Sequence, residues 1–288
     1  MSSDLGSQPI VACVDGLTPS LHAVRWAAAE ALRRRVLLRL VHAQRPQPGH
    51  DSPVDEPQRE QVWQHLWVAA AIAHETAPPV RLTVRKHPVD PVAGLLEESH
   101  TAGLVVMGAG GQSRFSGLPL GSTALALATG SRCPVVVVRD QPRESGPVVV
   151  GVTGSTVSDL AIGHAFDQAA ARAETLIAVH AWRPKPADVD IAAAMGGAWT
   201  DIEAKQDQLL AQWLSGWQQR YPQVRVMRVL TTRRAARCLL DIGQSAQLVV
   251  VGCGGRSRGT GLVRGAVPRA LMHRATVPVM IVRAGHGR

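Results

Sequence analysis

The chain lacks most of what would tie it to an oxidising compartment or a membrane. Its four cysteines, Cys13, Cys133, Cys238 and Cys253, form no Cys-x-x-Cys pair and no metal-ligand cluster. Reduced, mostly buried thiols are therefore expected, and no residue is assigned to a metal. No apolar stretch approaches the ~18–20 residues of a membrane span, and Met1-Ser2-Ser3-Asp4 carries neither a basic segment nor an apolar core. A cytoplasmic location with no membrane partner is expected. Aromatics are sparse, with seven Trp, two Phe and one Tyr, and the tryptophans fall at helical spacing rather than on a strand platform. Scattered arginines and no aromatic platform argue against a nucleic-acid partner, despite a net charge of +9. That charge is uneven. Residues 1–144 hold 14 Lys+Arg against 13 Asp+Glu and residues 145–288 hold 17 against 9, so the second half could attract a polyanionic nucleotide.

What is present is one glycine spacing, used twice. Leu104-Val105-Val106-Met107 leads into Gly108-Ala109-Gly110-Gly111, and after nine residues come Gly121-Ser122. Leu248-Val249-Val250-Val251 leads into Gly252-Cys253-Gly254-Gly255, and after nine residues come Gly265-Ala266. The offset is 144 residues at every glycine, which makes the chain a tandem duplication. Each repeat is long enough to bury its own core, and the expected domains are 1–142 and 146–288.

Each repeat alternates short β-branched runs with amphipathic stretches. The expected strands are Ile10 to Val14, Val36 to Val41, Val80 to Arg85, Leu104 to Met107 and Val135 to Val138. Their counterparts are Val148 to Val152, Leu176 to His180, Val224 to Leu230, Leu248 to Val251 and Val279 to Val282. Helices fill the intervals, most clearly Leu21 to Arg35, for which Thr18 can cap and Pro19 suits the first turn. Five strands separated by four helices imply a parallel sheet covered on both faces, hence an α/β fold of two tandem doubly wound domains. Asp140 to Pro147 reads as the linker, while Gln44 to Pro57 and Arg183 to Trp199 read as loops near the strand ends. The pairs Trp63/Trp67 and Trp213/Trp217 are expected to pack in a core or at an interface.

A strand that ends in glycines and feeds a helix directs unpaired backbone N–H groups at a concavity, a geometry that holds phosphate. A tight turn alone would also use such glycines. A P-loop is excluded, because neither copy has the required lysine. The dinucleotide fingerprint is excluded too, since Gly108-Ala109-Gly110-Gly111-Gln112-Ser113 follows the fourth strand and ends in serine.

Three motif regions then resemble the universal stress protein family. They are Val14-Asp15-Gly16, Leu40-Val41-His42-Ala43 and the Gly-x-x-Gly-x9-Gly-Ser loop, and the tandem form is echoed by His180-Ala181-Trp182 and Trp217 to Pro222. The resemblance implies a Rossmann-like sheet of order 3-2-1-4-5 in each half, and ATP, with or without Mg, in a cleft at the strand ends. It places Asp15 and Ala43 at the adenosine end with Cys13 beneath. Gly108, Ala109, Gly110, Gly111, Gln112, Ser113 and Arg114 would wrap the ribose and phosphates, and Gly121, Ser122 and Thr123 would close on the phosphates. The family usually has glycine at the Cys13 position. In the second half the corresponding set is Gly151, Gly252, Cys253, Gly254, Gly255, Arg256, Ser257, Arg258, Gly265, Ala266 and Val267. There Thr153 replaces the aspartate, Ala266 replaces the hydroxyl, and Arg256, Arg258 and Arg264 add charge, so a weaker second site is expected.

The resemblance further implies a regulator of stress response, growth or dormancy that acts through its nucleotide state and an unidentified protein partner. It also implies a homodimer, with Val135 to Val138 and Val279 to Val282 as apolar edge strands in need of cover. The alternative is an enzyme, a slow ATPase or nucleotidyl-transferring relative. Neither loop holds a carboxylate between its first and last glycine, which favours binding over turnover.

Overall fold

A computed structural model describes residues 8–44, 56–110, 121–183, 199–254 and 265–284. The first repeat runs β1 (Ile10–Cys13), α1 (Thr18–Arg34), β2 (Leu38–Ala43), α2 (Glu56–Thr76), β3 (Leu82–His87), α3 (Pro91–Glu98), β4 (Leu104–Gly108), α4 (Ser122–Gly130) and β5 (Val135–Val138). The second repeats the order with β6 (Val148–Val152), α5 (Thr156–Arg172), β7 (Leu176–Ala181), α6 (Trp199–Arg220), β8 (Val226–Thr231), α7 (Ala235–Gly243), β9 (Leu248–Gly252), α8 (Ala266–Arg274) and β10 (Val279–Val282). β1 and β2 recur 138 residues on, as β6 and β7, while everything from β3 onward recurs 144 residues on.

Strands β2, β3 and β8 begin two residues later than their β-branched runs suggest. Val36, Val80 and Val224 donate their N–H groups backward, to Ala31, Ala77 and Tyr221, and so belong to the turns that close the preceding helices. Thr18 is not a cap. Leu17 holds that position without a side-chain acceptor, Pro19 sits in the first turn as expected, and the Asp15 carboxylate accepts from the Leu17 N–H at 2.9 Å. In the second repeat Ser155 does cap, accepting from the N–H of Ser158 at 3.2 Å.

Each repeat forms a parallel sheet of order 3-2-1-4-5, and the two join into one ten-stranded sheet, β3-β2-β1-β4-β5-β10-β9-β6-β7-β8. The junction is antiparallel, with Val137 opposite Val279, Val136 opposite Met280 and Val135 opposite Ile281. This corrects the expectation that β5 and β10 are edges. Both are apolar on both faces and completely buried, and by pairing with each other they satisfy a ladder that would otherwise be exposed. The sheet's outer strands are β3 and β8, so the edges invoked for a homodimer are occupied within the chain.

One hydrophobic core lies on each side of the sheet, and both cross the junction. The first holds Ile10, Ala12 and Val136 with α1, α2, α5 and α6; the second holds Val11, Val105 and Val137 with α3, α4, α7 and α8. The tryptophan pairs divide. Trp213 and Trp217 pack against the first core, with Trp217 stacked on Phe166 at 6.4 Å, whereas Trp63 and Trp67 are 44% and 65% exposed, their rings 6.5 Å apart. The two pairs lie on equivalent helices but at different positions of the repeat, so of the expected core or interface packing the first pair does not take the core.

Candidate functional site

Two clefts open at the carboxyl ends of the strands, one per repeat, where the strand order reverses between the first and fourth strands of each repeat. The first, of about 290 Å³, brings together Cys13, Asp15, Ala43, Gly108, Gly110, Gly121, Ser122 and Thr123. The second, of about 310 Å³, brings together Gly151, Gly252, Gly254, Gly265, Ala266 and Val267, with Thr153 beside them. Ala109 and Cys253 do not line their clefts. Both are buried and point into the second core, their N–H groups bound to Val138 and Val282, because they continue the alternation of the strand that precedes them. Gly111, Gln112, Ser113, Arg114, Gly255, Arg256, Ser257, Arg258 and Arg264 lie outside the described residues, as does most of Gln44 to Pro57 and Arg183 to Trp199.

The floor of the first cleft is set by the turn between β1 and α1. Gly16 has φ +79°, and a Cβ there would overlap the ring of His65 on α2. Gly154 repeats this at φ +70° under the ring of Trp213. One Asp15 oxygen braces the turn through Leu17, and Ser20 supports it from α1 by accepting from the Asp15 N–H at 3.4 Å. In the second repeat Ser155 supplies the bracing oxygen, so Thr153 can stand where Asp15 does; its N–H donates to Ser158 at 2.9 Å.

Gly108 has a packing role as well as a lining one. A Cβ on it would stand 2.7 Å from the backbone of Pro19 and Ser20, and one on Gly252 would stand 2.9 Å from Val157. These glycines let the start of α1 or α5 rest on the strand end. α4 then begins at Gly121, with Ser122, Thr123 and Ala124 in its first three positions. Their N–H groups lack intrahelical partners, and the hydroxyls of Ser122 and Thr123 stand beside them in the same cleft.

The remaining walls are neutral. Burial pushes the Cys13 thiol up, and the nearby Asp15 charge pushes it further, so it stays protonated. Burial lowers the pKa of His42 despite its Gln44 contact at 3.4 Å, which leaves a neutral imidazole at pH 7. Ser20, Gln44, Pro91 and Leu95 also line the cleft and were not among the expected residues. Ser20 recurs as Ser158 and Leu95 as Leu239, each lining the second cleft, and only the 138-residue offset of the early elements hides the first of these from a search at 144. Asp90, the residue before Pro91, caps α3 by accepting from Val92 at 3.0 Å, whereas Arg234 occupies that position before α7 and provides no side-chain cap.

Fold and clefts together define a tandem doubly wound α/β protein with a strand-end ligand cleft in each repeat. The chain belongs to the universal stress protein family, whose model matches residues 6–139 and 145–283. Two universal stress proteins of Mycobacterium tuberculosis H37Rv, Rv2623 and Rv2005c, are each 36% identical to it, over 98% of this chain and 99% of their own. Among solved structures, a universal stress protein from Archaeoglobus fulgidus superposes with a TM-score of 0.72 at 18% identity, covering 98% of each chain, a likeness of fold. No described helix is long and apolar enough to cross a membrane.

Proposed function

We propose that the first cleft binds ATP and that the protein acts through its nucleotide-bound state, as a regulator of stress response, growth or dormancy built from domains 1–142 and 146–288. The observation that carries this reading is the meeting of Ser122 and Thr123, at the start of α4, with Asp15 in one cleft. Donors for phosphate stand at one end and an acceptor for a ribose or base at the other. The neutral Cys13 and His42, with Val41, Leu95 and Met107, suit the uncharged base between them. In this reading Gly108 and Gly110 allow the ligand to approach the backbone, and Gly111, Gln112, Ser113 and Arg114 complete the phosphate end.

Binding rather than turnover is favoured by the charges that line the cleft. Asp15 is its only described carboxylate, and one of its oxygens is spent on the turn. A slow ATPase remains the second reading, since positioning alone can support hydrolysis. Acid extraction of purified protein, followed by chromatography for adenine nucleotides, tests the reading directly. Co-purified ATP, with micromolar or tighter rebinding by calorimetry, is the expected result. A protein that carries and rebinds no adenine nucleotide would sink it.

A further inference from the structure

The second cleft has kept its size, and its described walls have lost the hydroxyls and the charge found in the first. α8 begins Ala266, Val267, Pro268 where α4 begins Ser122, Thr123, Ala124. Both hydroxyls are gone. Pro268 also removes the third of the free backbone donors in the first turn, since proline has no N–H, and all three replacements line the cleft. The backbone on either side of residues 255–264 differs as well. Gly254 and Gly265 hold φ +152° and +143°, whereas Gly121 has an ordinary φ of −65°.

The nucleoside end has been neutralised in the same way. Thr153 replaces Asp15, and the hydroxyls there are already engaged: that of Thr153 pairs with that of Ser155 at 3.1 Å, and that of Ser158 accepts from the Thr153 N–H at 2.9 Å. No charged side chain lines this cleft among the described residues, and its apolar walls include Val179, Val251 and Leu239. Along the described walls a phosphate would meet only the N–H groups of Ala266 and Val267 at the start of α8, so less of its desolvation cost is offset than at α4.

We propose that the second cleft takes an uncharged heterocycle of nucleobase-to-nucleoside size and rejects nucleoside triphosphate, with Ala266, Val267 and Pro268 as the residues that set this preference. This rests on the reading of the first cleft as the nucleotide site. Each lost charge-assisted hydrogen bond is worth about tenfold or more in affinity, so ATP binds the second cleft at least about a hundredfold more weakly than the first.

Calorimetry on the full chain, with ATP and adenosine as probes, tests the proposal. Wild-type protein is expected to bind one ATP, and protein saturated with ATP is expected to take up one adenosine. Gly151→Leu should lose that adenosine while keeping ATP, because its Cβ would start 3.2 Å from Leu239 and the side chain must enter the cleft. The transplant Ala266→Ser/Val267→Thr/Pro268→Ala should raise the ATP stoichiometry from one to two. Two ATP in the wild type, no adenosine uptake by the ATP-saturated protein, or adenosine uptake that survives Gly151→Leu would each overturn the proposal. A transplant that still binds one ATP overturns the assignment to those three residues. Wild-type protein that binds no ATP but still takes adenosine at the Gly151-sensitive site would instead refute the nucleotide reading of the first cleft.

Discussion

Gln168 on α5 donates a 2.6 Å hydrogen bond to the carboxylate of Glu30 on α1, and these two residues occupy equivalent positions in the two repeats. The contact therefore lies on the pseudo-two-fold axis that also relates β5 to β10. Around it, Arg172 reaches Glu30 across the junction at 2.9 Å and rests over the Trp26 ring, while Arg34 and Arg33 close from the same helix at 2.5 and 3.3 Å. Burial pushes the Glu30 carboxyl up, but Arg172, Arg34 and Arg33 together outweigh it and hold it at about 2. Arg172 is drawn down to about 10 by its own burial against the pull of Glu30.

The acid limb of stability should follow Glu30. Its folded pKa lies below the ordinary carboxylate value of 4.5, so its contribution is complete above that value and is lost as pH falls toward about 2. Glu30→Gln should remove on the order of 3 kcal/mol at neutral pH and flatten the loss of stability between those pH values. Urea unfolding of both proteins from pH 7 to pH 2 checks it; parallel acid limbs would rule Glu30 out as the titrating group.

The junction strands offer a second test. Val136 is fully buried and faces Met280 across the antiparallel ladder. Val136→Asp places an unpaired charge between the repeats and should cost about 3 kcal/mol or more. A variant with an unchanged denaturant midpoint would mean that the junction opens readily to water.

Gly16→Ala meets both a left-handed backbone and the His65 ring. The strain alone should cost about 1–2 kcal/mol, and the ring contact should add to it. Pairing the change with His65→Ala should recover the steric part, since the two residues are in contact and their effects should not add. Strictly additive losses in thermal unfolding would indicate that the ring does not rest on the turn.

At the first cleft, Gly121→Glu and Gly108→Asp should separate. Gly121→Glu sets a carboxylate at the start of α4 and is expected to abolish ATP binding with little change in melting temperature. Gly108→Asp drives a side chain into the Pro19 and Ser20 backbone, so it should destabilise the fold along with any effect on binding. Scanning calorimetry with and without ATP distinguishes the two; equal melting temperatures for both variants would remove the packing role given to Gly108.

Trp63→Gln and Trp67→Gln should each change stability by no more than about 0.5 kcal/mol, as exposed sites do. Trp217→Ala should cost about 3 kcal/mol, because that ring packs on Phe166 and Tyr221 and donates to Asp159 at 2.8 Å. Similar losses at all three positions would show that the outer pair is covered in solution.

The order of strands and helices, the duplication and most of the first cleft were legible in the sequence because each is written in local signals. β-Branched runs fixed strands to within two residues, and the glycine spacing marked the strand ends at Gly108 and Gly252 and the helix starts at Gly121 and Gly265. What the tertiary structure decided was less local. Strands apolar on both faces carry no mark of their neighbour, so Val135–Val138 and Val279–Val282 looked like edges until they paired with each other across 144 residues of chain. Two tryptophan pairs with the same spacing on equivalent helices read alike, yet they stand at different positions of the repeat: Leu66 and Leu210 are both fully buried, while Trp63 and Trp67 answer to Asp207 and Ala211 and so fall on the solvent side. Ala109 and Cys253 sit inside the glycine motif but face the core, because the strand's alternation persists one residue past the ladder. Spacing set where the backbone turns, and packing set which way each side chain points once it has turned.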